Sequence, residues 1–156
     1  MKKKTDSPGV FIPPPIIYLL IFLSSFLLQR AVPIKPSVNY YLTLSVGIIF
    51  IISSIAVLIA AIGLFIKSKN TLITIKPANS LQTTGIYSFT RNPMYLGLML
   101  LYTGIAMIIV NWWALILLPA LVLIVTYFII KPEERYLERS FGLLYLQYKR
   151  EVRRWI

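Results

Sequence analysis

Between Thr83 and Gly97 the chain reads TTGIYSFTRNPMYLG, and the Arg91-Asn92-Pro93 triplet stands just before an uncharged run that lasts to Ile130. Asn followed by Pro marks a helix start, with Asn at the cap and Pro at the first helical position. Free backbone N–H groups at such a start, with an arginine beside them, suit a carboxylate or a phosphate. At the far end of the run, KPEER supplies Glu133 and Glu134, which accept hydrogen bonds or pair with a cation. Tyr87, Tyr95, Tyr136, Tyr145 and Tyr148 flank the same two stretches. Each group also has a purely structural reading. Asn92-Pro93 can be a helix start alone, Arg91 an interfacial anchor, and the glutamates first-turn acids that favour the helix dipole. The tyrosines can form an aromatic belt. Gly97 and Gly104, on one helix face, can permit close packing.

The chain has neither His nor Cys. That removes disulfides, thiolate chemistry, histidine acid–base catalysis and most zinc, copper and haem sites. Chemistry must run on Arg, Lys, Glu, Tyr, Ser, Thr, Asn or the backbone.

The elements that must position these groups follow from hydropathy. Hydrophobic residues make up 58% of the chain and charged residues only 13%, too few to cover a soluble surface, so the class is integral membrane. Uncharged apolar runs predict spans at about 14–30, 40–66, 94–110 and 113–130. The last two come from one block, which at about 1.5 Å per residue far exceeds a hydrocarbon core of about 30 Å and must fold back. VNWWA, Val110 to Ala114, supplies the hairpin, with a turn-forming Asn111 and two interfacial tryptophans. Pro119 falls inside the fourth span, where a proline kinks a helix. The basic N-terminal flank lacks a clean small-residue cleavage site, so the first span is expected to be a retained anchor.

Lys and Arg number 16 against 5 Asp and Glu. With the N-terminus in the cytosol, every basic residue except Arg30 and Lys35 falls on the cytosolic side, so the positive-inside rule predicts four spans with both termini inside. The excess charge then faces anionic lipid, not nucleic acid. Apart from Arg30 at the end of the first, no Asp, Glu, Lys or Arg lies within the spans, which argues against a proton-coupled transporter. Residues 67–91 read as a loop. Residues 131–156 read as helical, with Pro132 starting a new helix and Gly142 dividing the segment in two. Leu137, Phe141, Leu144, Tyr148 and Val152 form its apolar stripe. The architecture expected is therefore all-α, a single membrane domain over 1–156, with four transmembrane helices and a cytosolic C-terminal helical segment. A tight third–fourth hairpin brings Arg91 close to Glu133 and Glu134.

GIYSFTRNPMYLG, Gly85 to Gly97, resembles the G-x-Y-x-x-x-R-[HN]-P-x-Y-x-G signature of the isoprenylcysteine carboxyl methyltransferase family. PEERYLERSFGLLYLQYKREV, Pro132 to Val152, resembles its second block. The match covers the C-terminal half, from Thr71 onward. It implies an S-adenosylmethionine-dependent membrane methyltransferase, related to the phospholipid methyltransferases. The cofactor would lie at the cytosolic ends of the last helices, closed in by 131–156. Carried over by position, Tyr87, Arg91, Asn92, Pro93, Tyr95, Gly97, Glu133 and Glu134 would contact the cofactor. Arg91 and Glu134 would be catalytic, and Tyr145 and Tyr148 would face the substrate. A lipophilic or lipidated acceptor, carboxylate or lipid amine, would enter from the bilayer. Asn92 stands where eukaryotic members carry His, resembling small prokaryotic members of a cytoplasmic membrane, and leaves prenyl-cysteine specificity open. Methyl transfer from a sulfonium needs positioning and a dry site, which a chain without His or Cys can provide. Two other readings stand beside this one: an NADPH-dependent membrane reductase of related architecture, and a non-enzymatic four-helix membrane protein.

Overall fold

A computed structural model describes residues 12–67 and 80–156. Lys2, Lys3, Lys4, Lys69 and Lys76, expected on the cytosolic side, and the first part of the loop expected after Lys67 lie outside the described residues. Helices α1 (Pro14–Ala31) and α2 (Tyr40–Lys67) are followed by a single 3-10 turn (Gly85–Ser88). Helix α3 spans Pro93–Ile108 and α4 spans Trp112–Val125. A π turn (Thr126–Ile130) leads into α5 (Lys131–Phe141), and α6 (Leu143–Glu151) ends the helical part. There is no strand among the described residues. Among the described residues, three helical stretches, Pro14–Ala31, Tyr40–Leu64 and Trp112–Phe141, are long and apolar enough to cross a membrane. The expected third span is shorter: α3 has 16 residues, about 24 Å of helix at about 1.5 Å per residue.

Helix α3 is the organising element, because its faces are unlike. Toward α2 it presents glycines. A Cβ on Gly104 would stand 2.9 Å from the Gly47 carbonyl, and one on Gly97 would stand 2.6 Å from Leu58 Cγ. Side-chain-free positions on both helices let the backbones approach, and Ser54 Oγ then donates to the Gly97 carbonyl at 2.7 Å. Toward α1 and α4 it presents tyrosines. Tyr102 donates to the Ala114 carbonyl at 2.9 Å, and Tyr95 packs in the core with Leu121, Val125 and Ile129. Tyr18, near the start of α1, donates to the Tyr95 carbonyl at 3.0 Å. Near the other end, Asn111 donates from Nδ2 to Ser25 Oγ at 2.8 Å. Helix α1 is thus parallel to α3, while α2 and α4 run antiparallel to it. The starts of α1 and α3 and the ends of α2 and α4 gather at one end of the bundle. The outer faces, with Leu19, Leu23, Ile49, Ile52, Ile59 and Leu123 exposed, are apolar as a lipid-facing wall requires.

The expected hairpin is present, and two other sequence expectations change locally. The hairpin forms at VNWWA, and Asn111 caps α4 by accepting from the Ala114 N–H at 3.3 Å, but the positive φ of 55° falls on Val110. Pro132 does not begin a separate helix. Ile130 and Lys131 keep helical dihedrals, and the chain runs from Trp112 to Phe141 through the π turn. A proline inside a helix removes one hydrogen bond and crowds the carbonyl four residues back, and a π turn just before it accommodates both effects. The apolar stripe also changes phase. Gly142, at φ 55°, separates α5 from α6. Leu144 is exposed, and Tyr145 takes its place beside Tyr148, Val152, Leu137 and Phe141.

Candidate functional site

At the polar end of the bundle, the loop before α3, the start of α3, α5 and α6 line a cavity of about 120 Å³. Tyr87, Arg91, Asn92, Pro93, Tyr95, Glu133, Glu134, Tyr145 and Tyr148 all line it. Gly97 does not, because it faces Leu58 of α2 and serves the helix contact described above. Ser80, Gln82, Met94 and Leu137 also contribute to the wall. Of these, Leu137 belonged to the apolar stripe, while Ser80 and Gln82 carried no sequence signal beyond being polar loop residues.

Arg91 and Glu134 meet, with Nη2 to Oε1 at 3.2 Å and side chains only 8% and 7% exposed. The pairing follows from topology: α3 and α4 form a hairpin, and α5 prolongs α4, so the first turn of α5 stands beside the start of α3. Arg91 Nε and Nη1 are buried and have no hydrogen-bond partner among the described residues. Buried donors of this kind cost a full desolvation penalty unless something accepts from them. Glu133 takes a different partner, accepting from the Tyr95 phenol at 2.7 Å. The two adjacent glutamates therefore have different electrostatic surroundings, one against guanidinium and one against a phenol.

Asn92 occupies the cap position of α3, but its side chain makes no capping bond. Instead Nδ2 donates to the Arg154 carbonyl at 2.9 Å, while Thr90 Oγ1 accepts from the Asn92 N–H at 3.2 Å. The loop carries other tail contacts. The Arg91 N–H donates to the Arg153 carbonyl at 3.0 Å, and Thr90 Oγ1 to the Arg154 carbonyl at 3.2 Å. Arg154 itself donates from Nε and Nη2 to the two oxygens of Glu134, at 2.9 and 2.7 Å. Sequence reasoning missed Arg154, since one arginine in KREVRRW looks like any other interfacial charge. The nearest signal is Trp155, an aromatic after a basic run, which packs against the core.

The tyrosines supply neutral polar walls. Burial raises the phenols of Tyr87 and Tyr145. Burial also pushes Tyr148 up to about 12, against the opposing pull of Arg91. Tyr148 stays protonated and donates to the Tyr87 carbonyl at 2.6 Å, which ties α6 to the loop before α3. Among the described residues, no group of three or more metal-ligating side chains is present.

The site thus joins a buried arginine with unused donors, two differently partnered carboxylates and neutral phenols, at one end of an apolar bundle. Residues 40–143 match the family model for phospholipid methyltransferase, from the first residue of α2 to just past Gly142. No curated protein and no solved structure matches the chain. The chain belongs to the phospholipid methyltransferase family, a family of membrane methyltransferases.

Proposed function

We propose that the chain transfers a methyl group from S-adenosylmethionine to a lipophilic acceptor, at the cytosolic face of a bilayer that it crosses four times with both termini inside. The observation that carries this reading is Arg91, 8% exposed, with Nε and Nη1 unpartnered among the described residues in the wall of the cavity. Those donors fit the carboxylate of the cofactor's amino-acid tail. Glu133 is a carboxylate of the same wall and suits ribose hydroxyls or an ammonium. The cofactor, when bound, supplies a methyl already activated by its sulfonium.

The chain's own residues then have to bind, orient and exclude water, which is where most of the rate is gained when the leaving group is already good. A carboxylate acceptor needs no base. For an amine acceptor Glu134 is poorly suited, because both its oxygens already accept from guanidinium groups. The neutral Tyr148 phenol is already a donor to Tyr87. Glu133, which meets a phenol, is the carboxylate suited to take the proton at Oε1 or Oε2.

An apolar groove of about 210 Å³ supports a lipophilic acceptor. It lies between α1 and α3, lined by Tyr18, Leu19, Phe22, Leu98, Tyr102 and Ile105 among others. Tyr18 closes one side of it and donates to the Tyr95 carbonyl, so groove and polar cavity share the α3 wall.

Calorimetric titration of the purified protein in detergent with S-adenosylhomocysteine tests the reading directly. Binding is expected, and NADPH is expected not to bind. NADPH binding without S-adenosylhomocysteine binding would instead select the reductase. Incubation with methyl-labelled cofactor and total membrane extract should then label a lipid-soluble product. A base-labile label indicates an ester, and a base-stable label an amine.

A further inference from the structure

The C-terminal tail passes over the start of α3 and reaches back to α5. Glu134 is the point where these elements meet. Its Oε1 forms an ion pair with Arg91 Nη2 at 3.2 Å and accepts from Arg154 Nε at 2.9 Å. Its Oε2 accepts from Arg154 Nη2 at 2.7 Å. Arg154 therefore holds the carboxylate by the two-pronged fork that fixes orientation as well as distance. Arg91 receives only the remaining single contact. A backbone bond from the Arg91 N–H to the Arg153 carbonyl, and side-chain bonds from Asn92 and Thr90 to the Arg154 carbonyl, register the tail against the loop. The outcome is a chain of command from the tail to the cavity: Arg154 orients Glu134, Glu134 holds one nitrogen of Arg91, and Nε and Nη1 of Arg91 are left without a partner among the described residues, beside the cavity.

We propose that Arg154 is a positioning residue for anion recognition, acting through Glu134 to aim the unused donors of Arg91 at the carboxylate of the bound ligand. This rests on the function proposed above and extends it to a residue beyond the family match, which ends at residue 143. The geometry gives Arg154 a partial role in charge as well. Two guanidiniums share one carboxylate, so the cluster keeps a net positive charge beside the cavity.

A structural brace and a positioning residue differ in which ligands they affect. S-adenosylhomocysteine carries the carboxylate; 5′-methylthioadenosine shares the nucleoside thioether but lacks it. In calorimetric titrations, Arg154→Ala is expected to weaken S-adenosylhomocysteine about tenfold, the equivalent of one lost charge-assisted contact. Affinity for 5′-methylthioadenosine is expected to change less than twofold. Arg154→Lys, which keeps the charge but loses the fork, should fall between Arg154→Ala and the unaltered chain for the first ligand. It should match the unaltered chain for the second. Equal losses for both ligands, in either variant, overturn the proposal in favour of general bracing, and unchanged affinity for S-adenosylhomocysteine overturns it outright. Should Arg154→Ala fail to fold, the lysine variant decides by the same comparison. If the unaltered chain binds neither ligand, the proposed function falls and this role with it; binding of both with no carboxylate-selective loss removes this role alone.

Discussion

Arg91 and Glu134 depend on each other unequally. Both side chains are almost fully buried, so removing Glu134 strands the Arg91 charge, at about 3–5 kcal/mol for a buried pair, whereas removing Arg91 leaves Glu134 paired with Arg154. Glu134→Ala is therefore expected to lower the unfolding midpoint in detergent sharply. Combining it with Arg91→Ala should cost less than the sum of the two single changes, a coupling that a double-mutant cycle measures. On ligand affinity the order reverses. Arg91→Ala removes the donors themselves and should weaken S-adenosylhomocysteine by about ten- to a hundredfold, in line with about 1.5–3 kcal/mol for hydrogen bonds to a charged group. Tyr148 carries a pH signature. Its phenol ionises near 10 when unfolded and at about 12 when folded. The unfolded chain therefore loses that proton first as pH rises. The stability gained from this group is full below pH 10 and is lost between pH 10 and 12. Tyr148→Phe should make that part of the stability–pH profile shallower, the remaining slope coming from Tyr87 and Tyr145, whose phenols burial also raises.

At the scale of elements, the contact between α2 and α3 depends on two glycines facing each other. A Cβ on Gly104 would meet the Gly47 carbonyl, a backbone atom that cannot rotate away, at 2.9 Å. Gly104→Ala should destabilise by about 1–3 kcal/mol, the usual cost of overpacking. Gly63, in the same helix as Gly47, has nothing within 4 Å of an added Cβ. Gly63→Ala should leave stability unchanged or raise it by up to about 1 kcal/mol, because alanine favours the helix. Thermal unfolding of the two variants in one detergent separates packing from propensity. The continuous run from α4 into α5 has an equally local cause: the π turn absorbs Pro132, so the glutamates are carried on the prolongation of a core helix instead of on a loose connection.

For the whole molecule, the orientation in the bilayer is the decisive expectation. The chain has no cysteine, so single cysteines can be introduced without background. Ser37, between α1 and α2, and Gln147, on α6, are both exposed. A membrane-impermeant maleimide is expected to label Ser37→Cys in intact cells and Gln147→Cys only after permeabilisation. The reverse pattern would place the cavity on the outer face, away from a cytosolic cofactor.

What the chain's order of residues determined by itself is the class and the neighbourhood. Long uncharged runs can only be satisfied by helices in lipid. An uncharged block longer than one span has to fold back, and that return brings the Arg91 stretch beside the Glu133-Glu134 stretch. What only the tertiary structure decided is which partner each polar group takes. Nothing local distinguishes Glu133 from Glu134; their directions on α5 send one to Tyr95 and the other to Arg91 and Arg154. Asn92 looks like a cap and occupies the cap position, yet its amide is claimed by the tail. Leu144 fitted the stripe until Gly142 reset the helix phase and gave the position to Tyr145. Periodicity and hydropathy are properties of neighbours in sequence. Hydrogen-bond partners joined across 20 to 64 residues, as Arg154 is to Glu134 and Thr90, are set by competition among all the groups that folding brings within reach.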